Sequence, residues 1–366
     1  MKSKNKSIKR PKNFIGVDVF SGSGGLSLGA EMAGVDVKFA VEVWPSAAAT
    51  YKRNHPNSTV INKDIQNIDS RKEIYNDGGI FVIMGGPPCQ GFSMSNQRGR
   101  TMENPKNQLF KEFVRFVKEL NPDWFVFENV YGIINMEKGE VIKNIAQCFK
   151  DLGYQTSEPT ILWANDYGVP QRRNRCFIVG NKVGVNFEFP KPMGTHITVK
   201  EALEDLPILK SGDNIAIAPY RLSLSKCSEY AKLMRRNSLE ATQNQVSLNS
   251  ELVLQRYSYI KQGGNWRQIP EELMSNYEDK TRCHSGIYKR LREDEPSVVI
   301  SNYRKMMLIH PTQDRGLSVR EAARLQSFPD DFYFEGPISH IQQQIGNAVP
   351  PLLAKAIFKQ ILSYYE

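Results

Sequence analysis

The sequence lacks a long apolar run: within its 366 residues none approaches the ~18 residues that a membrane-spanning helix needs. It also lacks paired cysteines, since the five that it contains are scattered and no two have the Cys-x-x-Cys spacing. We therefore expect no disulfide framework, no zinc or other metal, and a reducing compartment. No apolar segment follows the basic amino-terminal residues, so we expect no secretory signal peptide.

Acidic residues are absent from residues 1–12, although the formal net charge of the whole chain is +9. We expect this segment to be a disordered tail that either holds a polyanion loosely or is simply solvated. The length leaves room for two domains or for one large domain with an insertion, and the hydrophobic content of 40% supports a real core. The basic residues of the tail are Lys2, Lys4, Lys6, Lys9, Arg10 and Lys12.

Two kinds of apolar pattern alternate in the first half of the chain. Short continuous runs predict buried strands, and apolar residues at helical spacing predict helices between them. Such alternation is typical of an α/β fold with a doubly wound parallel sheet. Near residue 190 prolines and polar residues become frequent. The predicted strands cover residues 14–20, 37–43, 80–84, 124–127 and 176–180, and the predicted helices cover residues 44–54, 109–120, 141–152, 318–327 and 351–364.

A single thiol follows the predicted strand at residues 80–84. The segment Gly85-Gly86-Pro87-Pro88-Cys89-Gln90-Gly91-Phe92-Ser93 breaks the strand with glycines and stiffens the backbone with two prolines. Open α/β sheets place their chemistry just past the carboxyl ends of the strands. Cys89 is therefore a candidate nucleophile, and a buried structural cysteine is the alternative.

A glycine-rich turn follows the first predicted strand, in Phe20-Ser21-Gly22-Ser23-Gly24-Gly25-Leu26. Such a turn lets a ligand approach the backbone, and Glu42, about 20 residues on, could bind two ribose hydroxyls. The dinucleotide fingerprint fails because Ser27 stands at its third glycine position. An adenosine-type cofactor is favoured, with Phe20 available to pack on it, and a purely structural turn is the alternative.

A candidate carboxyl group follows the predicted fourth strand. Glu128 follows the strand at 124–127, where burial could keep its carboxyl protonated as a donor; a helix-capping role is the alternative. A metal-dependent nuclease would need lysine at position 130, which is valine.

Arg173 and Arg175 stand two residues apart before the fifth predicted strand, so their side chains would point to one face. They could bind an anion or a base carbonyl there, and a solvated basic cluster is the alternative.

Together these motifs resemble the C5-cytosine DNA methyltransferases, in that family's order and over nearly the whole chain. The resemblance implies a Rossmann-like S-adenosylmethionine-dependent methyltransferase fold with a smaller target-recognition domain inserted before the carboxyl-terminal return. The motifs are FSGSGG at 20–25, Glu42 with Trp44, Asp64-Ile65, GGPPCQGFS at 85–93, Glu128-Asn129-Val130, QRRNR at 171–175, LSVREAARLQSFPD at 317–330 and QIGNAVPP at 344–351.

The resemblance also implies the residue roles. Cys89 would attack C6 of a flipped-out cytosine as a thiolate, Glu128 would hold or protonate N3, and Arg173 and Arg175 would position the cytosine and the active-site loop. The methyl group would pass to C5, leaving S-adenosylhomocysteine. The implied cofactor-binding residues are Phe20, Ser21, Gly22, Gly24, Gly25, Leu26, Glu42, Val43, Asp64, Ile65, Pro88, Leu109, Asn347 and Ala348, and the DNA-binding candidates are Ser93, Ser95, Arg98, Arg100, Asn265 and Arg267.

The chain would leave its catalytic domain, residues 13–190 plus 337–366, to build a target-recognition domain over residues 191–336. That second segment holds 21 Lys and Arg against 19 Asp and Glu, so readout would depend on a few placed side chains rather than on a bulk field. The polar stretch 91–107 suits a mobile lid over the flipped base. DNA-facing elements are also expected at 263–267 and 284–292.

Two rival functions are RNA methylation by the same chemistry and a non-catalytic role in DNA binding. Members of the family that methylate transfer RNA carry a Cys-Phe-Thr motif in the smaller domain, whereas Cys227 and Cys283 are followed here by Ser228 and His284. A non-catalytic DNA-binding regulator would have lost Cys89, which is present. The architecture resembles a monomeric bacterial or phage modification enzyme, cytoplasmic, acting on double-stranded DNA beside a cognate restriction endonuclease with which it forms no stable complex.

Cys89→Ser is expected to abolish methyl transfer while largely sparing cofactor binding, because a serine hydroxyl is a far weaker nucleophile than a thiolate. Methyl incorporation into DNA and S-adenosylmethionine binding, measured on the same preparation, test this expectation. Full activity of the variant would contradict the covalent mechanism.

Overall fold

The computed structural model describes residues 11–74, 77–88, 109–236, 238–275, 286–301 and 303–366. The chain divides into two compact units. The first comprises residues 1–163, 174–192 and 351–366, and the second residues 164–173 and 193–350. Among the described residues, no helix combines the length and apolar character needed to cross a membrane.

The first unit is built on one mixed sheet in the order β3-β2-β1-β4-β5-β8-β6, with β7 also paired to β8. Strands β1 to β5 are parallel, and β8 runs antiparallel to β5. Its strands are β1 (Ile15–Val19), β2 (Asp36–Val41), β3 (Thr59–Ile61), β4 (Val82–Gly85), β5 (Trp124–Val130), β6 (Gln155–Thr156), β7 (Thr160–Trp163) and β8 (Asn174–Asn181).

Helices of the first unit cover both faces of this sheet, as the alternating pattern predicts. Phe113 and Phe149 pack with Phe125 of β5 in the main hydrophobic core on one face. On the other face Trp124 donates a hydrogen bond from its indole nitrogen to the hydroxyl of Tyr365. The helices are α1 (Gly25–Ala33), α2 (Pro45–Asn54), α3 (Ser70–Glu73), α4 (Phe110–Leu120), α5 (Glu140–Asp151) and α11 (Pro351–Leu362).

The α/β fold class is confirmed, with one correction to the expectation of a parallel sheet. The strand expected at 176–180 is β8, and it is antiparallel. The short connection 164–173 joins β7 to β8 and reverses the direction of the chain, so the two strands pair antiparallel. A parallel pair would require a long crossover connection instead.

The second unit contains a two-stranded antiparallel sheet and five α-helices among its described residues. Residues 337–350, expected to belong with the catalytic part, lie in this unit. One reason is that Gly346 packs so closely on the backbone of Ser301 that an added Cβ would lie 2.0 Å from its carbonyl oxygen. The elements are β9 (Asn214–Pro219), β10 (Glu240–Gln245), α6 (Val199–Leu203), α7 (Glu229–Arg235), α8 (Glu251–Ser258), α9 (Val319–Leu325) and α10 (Ile338–Asn347).

Buried ion pairs organise the second unit around α9. The Arg324 guanidinium lies 2.6 Å from Asp205 and 2.6 Å from Asp330, and all three side chains are fully buried. Burial raises the pKa of Asp330, but the neighbouring Arg324 and Arg320 outweigh it and hold the pKa below its usual range. Removing one partner would leave a buried uncompensated charge, so these pairs fix the packing of α6, α9 and the following turn.

Gly29→Ala is expected to lower the free energy of unfolding by about 1–3 kcal/mol through overpacking. The added Cβ would lie 2.4 Å from the Ala354 Cβ of α11 and from the Pro351 carbonyl oxygen. Helix propensity alone would favour alanine by ~1 kcal/mol, so the two effects have opposite signs. Chemical denaturation measures the difference.

Gly316→Ala is the control, because the nearest described atom to its added Cβ would be the Leu308 carbonyl oxygen at 3.7 Å. That variant should stay within about 0.5 kcal/mol of the parent. A stabilised Gly29→Ala protein would show that α1 and α11 are not in close contact.

Candidate active site

The candidate residues of the first unit lie along the carboxyl edge of its parallel strands. The glycine turn follows β1, Glu42 follows β2 and Asp64 follows β3. Pro88 lies just past β4, and Glu128 lies near the end of β5. Since parallel strands end at one edge, the sheet order brings these groups into one row, as the sequence predicts for a cofactor and reaction site.

The turn after β1 has an unusual backbone. Phe20 has φ 60°, a left-handed conformation that is rare for a bulky residue, and Gly22 (φ 55°) and Gly24 (φ 93°) follow in the same region. A Cβ on Gly24 would lie 2.4 Å from the imidazole Nε2 of His55. The turn therefore needs glycine there both for its φ angle and for space, and strain of this kind is concentrated at ligand sites.

Glu42 binds the glycine turn directly. Its two carboxyl oxygens accept hydrogen bonds of 2.7 Å each, one from the backbone NH of Gly22 and one from that of Trp44. Burial raises the pKa of Glu42, and these backbone hydrogen bonds oppose the shift. The turn and the acid that the sequence predicts as partners are thus in contact, and each carboxyl oxygen keeps a second lone pair for a ligand hydroxyl.

The surroundings of Glu42 fit an adenosine cofactor. Within the described residues, its own chain neighbours aside, no atom lies within 4 Å of the position that a Cβ on Gly22 would take. Val43 is 62% exposed and offers apolar surface next to Glu42 in the chain. Asp64 is a half-buried acceptor that caps the 3-10 helix Ile65–Asn67. Carboxylates can accept hydrogen bonds from the hydroxyl and amino groups of S-adenosylmethionine, and apolar surface can contact its base. The groups present therefore match the chemistry of this cofactor.

The other predicted cofactor residues of the first unit lie just after strands or at the beginnings of helices. Ser21 is buried and bonds through its backbone NH to the Val41 carbonyl oxygen of β2. Leu109 is half-buried against the main core at the start of α4. Gly25 and Leu26 begin α1, and Ile65 is buried.

Glu128 forms an ion pair with Arg175. The Arg175 Nε lies 2.7 Å from the Glu128 Oε1, and the two side chains are 12% and 9% exposed. The antiparallel register of β5 and β8, with Val130 opposite Arg175, brings them together. Burial lowers the pKa of Arg175, whereas the charge of Glu128 raises it.

Backbone packing fixes the Glu128 carboxyl against the segment that leads to position 89. A Cβ on Gly86 would lie 2.4 Å from the Glu128 Oε2, so any side chain there would displace the Glu128 carboxyl. Asn129, also buried, donates from its amide nitrogen to the Pro87 carbonyl oxygen at 3.2 Å. Sequence reasoning assigned no role to Asn129. A signal was available, because a polar residue at the end of an otherwise apolar strand needs a hydrogen-bond partner.

Arg173 lies in the second unit. Its guanidinium donates to the carbonyl oxygens of Ile300 at 2.9 Å and Gly346 at 2.6 Å, and the side chain is buried. The expectation that Arg173 and Arg175 share one face treated both as strand residues, but β8 begins at Asn174. The two arginines therefore have different partners, and a catalytic role for Arg173 stays a prediction.

The remaining candidates of the second unit lie on two short elements. Asn347 is the last residue of α10, and the backbone NH of Ala348 bonds to the Gln344 carbonyl oxygen. Asn265 caps the 3-10 helix Trp266–Gln268 by accepting from the backbone NH of Arg267, which is exposed. Their cofactor and DNA roles stay predictions.

Several predicted residues lie outside the described residues: Cys89, Ser93, Ser95, Arg98 and Arg100. The basic tail through residue 10 and the whole stretch 91–107 also lie outside the described residues. Two of the described cysteines are poor nucleophiles, because burial raises the pKa of Cys148 and raises that of Cys176 to about 12. No group of three or more His, Cys, Asp or Glu side chains in the described ranges is arranged to hold a metal.

The sequence model of the C-5 cytosine-specific DNA methylases matches residues 14–363. The chain belongs to this family. It is 38% identical to the Type II methyltransferase M1.HphI of Haemophilus parahaemolyticus, over 94% of this chain and 86% of the relative. It is 35% identical to M.DdeI of Desulfomicrobium norvegicum, over 96% and 89% of the two chains.

The solved structures agree with the family assignment. A proposed DNA modification methyltransferase encoded within an Escherichia coli prophage superposes with a TM-score of 0.78 at 30% identity, over 96% of this chain and 99% of the other. The Dnmt2 methyltransferase of Schizosaccharomyces pombe, at 15% identity and a TM-score of 0.61 over 96% and 99%, shares the fold. The family is S-adenosylmethionine-dependent, and the chain is a DNA cytosine-5 methyltransferase.

Gly86→Ala is expected to lower the rate of methyl transfer by about 10²-fold, because the added methyl group displaces the Glu128 carboxyl by roughly an ångström. Binding of S-adenosylhomocysteine should be unchanged, since Glu42 and the glycine turn are untouched. Single-turnover methylation and calorimetric binding separate the two effects. An unaltered rate would mean that the position of Glu128 does not matter.

Proposed function

We propose that this chain is a modification methyltransferase that acts through Cys89 on a flipped-out cytosine in a short double-stranded recognition sequence. The observation that carries the proposal is the Glu128–Arg175 pair at the end of β5, which lies against Gly86, three residues before Cys89. A nucleophile and a carboxyl on adjacent strand ends suit covalent activation of a ring.

Cytosine C5 is a poor nucleophile, so the ring must first be activated. Addition of the Cys89 thiolate to C6 would form an S–C6 bond. The electrons of the C5–C6 double bond become available at C5 as N3 takes up a proton from solvent, which N3 releases again when Cys89 is expelled. Glu128 is ion-paired with Arg175, which favours its carboxylate form. A carboxylate would accept a hydrogen bond from the cytosine amino group and stabilise the proton on N3.

The later steps regenerate the thiolate. C5 attacks the methyl group, the sulfur–methyl bond breaks, and S-adenosylhomocysteine is the leaving group. A base then removes the proton on C5, the C5–C6 double bond re-forms and Cys89 is expelled. None of these ring atoms can be reached inside a duplex, so the base must leave the stack.

Bound S-adenosylmethionine supplies an electrophilic methyl group on a sulfonium ion. We propose that Glu42 binds the ribose hydroxyls, Asp64 the adenine amino group and Val43 a face of the base. The glycine turn, with Phe20, would hold the remainder. The hydrogen bonds from the backbone NH groups of Gly22 and Trp44 orient Glu42 for this task.

The biological purpose that we propose is protection of host DNA from a cognate restriction endonuclease acting on the same site. The naming of the similar proteins as Type II methyltransferases supports it. The chain would act as a monomer in the cytoplasm of a bacterial or phage-infected cell, without a stable complex with the endonuclease.

Sequencing that resolves 5-methylcytosine, applied to DNA from a methylation-free host that expresses the chain, tests the proposal. One short motif methylated by the parent and not by Cys89→Ser is expected, and it would also give the recognition sequence. Glu128→Gln keeps the size of the side chain but removes its negative charge, and should lower methylation of the same motif by about 10²-fold or more.

Unmodified DNA from a folded parent that binds S-adenosylhomocysteine would overturn the proposed substrate and favour RNA. Methylation at many unrelated cytosines would overturn the proposed sequence-specific modification.

A further inference from the structure

A chain of buried polar groups lies beneath the glycine turn and takes no part in the proposed reaction. Asp18, the fourth residue of β1, accepts a 2.6 Å hydrogen bond from the Ser27 hydroxyl of α1. Ser27 in turn accepts one of 2.7 Å from the Tyr51 hydroxyl of α2. All three residues are at most 1% exposed. The chain therefore links a strand and two helices at one buried point.

The same helices touch the turn itself. A Cβ on Gly24 would lie 2.9 Å from the Tyr51 ring and 2.4 Å from the His55 ring, so both rings support the backbone of the turn from below. His55 is tied to α1 by a 2.9 Å contact between its Nδ1 and the Glu31 carboxylate. A shift of α2 away from α1 would remove the support of Gly24.

We propose that Asp18 is a positioning residue for the cofactor, which acts through Ser27 and Tyr51 to hold the glycine turn in its binding conformation, and that it does so as a neutral carboxylic acid. The inference rests on the proposed placement of S-adenosylmethionine at this turn. Asp18 itself acts through its neighbours and needs no contact with the cofactor.

The surroundings of Asp18 favour the neutral form. Ser27 donates to its Oδ2, whereas its Oδ1 has no hydrogen-bond partner within the described ranges. The nearby charged groups include two acids, Glu42 after β2 and Glu31 on α1, and the other titratable neighbours are Tyr51 and His55 on α2. Burial, followed by these two acids, raises the pKa of Asp18 to about 8 against an ordinary value of 3.8, despite the Ser27 hydrogen bond.

Binding of S-adenosylhomocysteine at pH 7 tests the positioning role. Tyr51→Phe removes the hydroxyl that donates to Ser27 and should weaken binding about fivefold. Asp18→Ala should weaken it at least as much. Asp18→Asn has the size of the neutral acid and should keep parental affinity, which a role as an anion would not allow.

Tyr154→Phe is the matched control. It also removes one buried tyrosine hydroxyl of the first unit, but that hydroxyl donates to the Pro122 carbonyl oxygen at the opposite, amino end of β5. This variant should bind the product as the parent does. Unchanged affinity in both Tyr51→Phe and Asp18→Ala would overturn the positioning role.

Protein stability without cofactor tests the neutral acid. Between about pH 4 and pH 8 the folded protein keeps a proton on Asp18 that the unfolded chain has released, so a rise in pH favours unfolding. Relative to Asp18→Asn, the unfolding equilibrium constant of the parent should rise about tenfold per pH unit from pH 5 to pH 7. A ratio that is independent of pH would show an ionised Asp18 and overturn this part.

These outcomes are separable from failure of the proposed function. A parent protein that binds S-adenosylhomocysteine but leaves DNA unmethylated would contradict the proposed substrate alone. A parent that methylates its motif while Tyr51→Phe and Asp18→Ala both bind S-adenosylhomocysteine normally would contradict only the inference about Asp18.

Discussion

The end of β4 leaves no room for a side chain, and the site depends on that constraint. A Cβ on Gly85 would lie 2.0 Å from the Val19 carbonyl oxygen of β1, and one on Gly86 would lie 2.4 Å from the Glu128 carboxyl beside it. Two glycines therefore let β4 lie tightly between the strand that leads into the cofactor turn and the strand that carries Glu128. Because both neighbours are this close, the proposed mechanism would have one segment after β4 serve a methyl donor on one side and a target ring on the other.

Much of the first unit could be predicted from the sequence because its signals are local. Apolar runs bounded by glycine gave β1 and β4, and the rule that parallel strands end at one edge placed Glu42 with the turn. The pairing of Glu128 with Arg175 could not be predicted, because it depends on the register of an antiparallel strand. Alternation grouped Arg173 with Arg175, yet β8 starts between them, and Arg173 bonds instead to backbone carbonyl groups of the second unit.

Asp18 shows a different limit of sequence reasoning. An acid inside the apolar run at 14–20 was compatible with a strand, and nothing in the spacing identifies its partners, Ser27 and Tyr51, which lie on two helices. A buried acid needs either a cation or a proton, and among the described residues the contacts of Asp18 provide no cation. The protonation state of Asp18 therefore follows from the fold. The sequence shows only that a polar residue lies within an apolar strand.

Folding changes how much of the charge of the second unit is exposed to solvent. Its sequence is almost balanced, but several arginines are fully buried against acids: Arg324 pairs with Asp205 and Asp330, and Arg315 pairs with Glu321. These cations hold α9 in place and are withdrawn from solvent, so they add nothing to a field that attracts DNA phosphates. The balance between exposed charges, rather than the total, then determines electrostatic attraction. If the second unit reads DNA as the proposed function requires, its specificity would rest on individual side chains that reach base edges, because a diffuse basic surface binds every sequence alike.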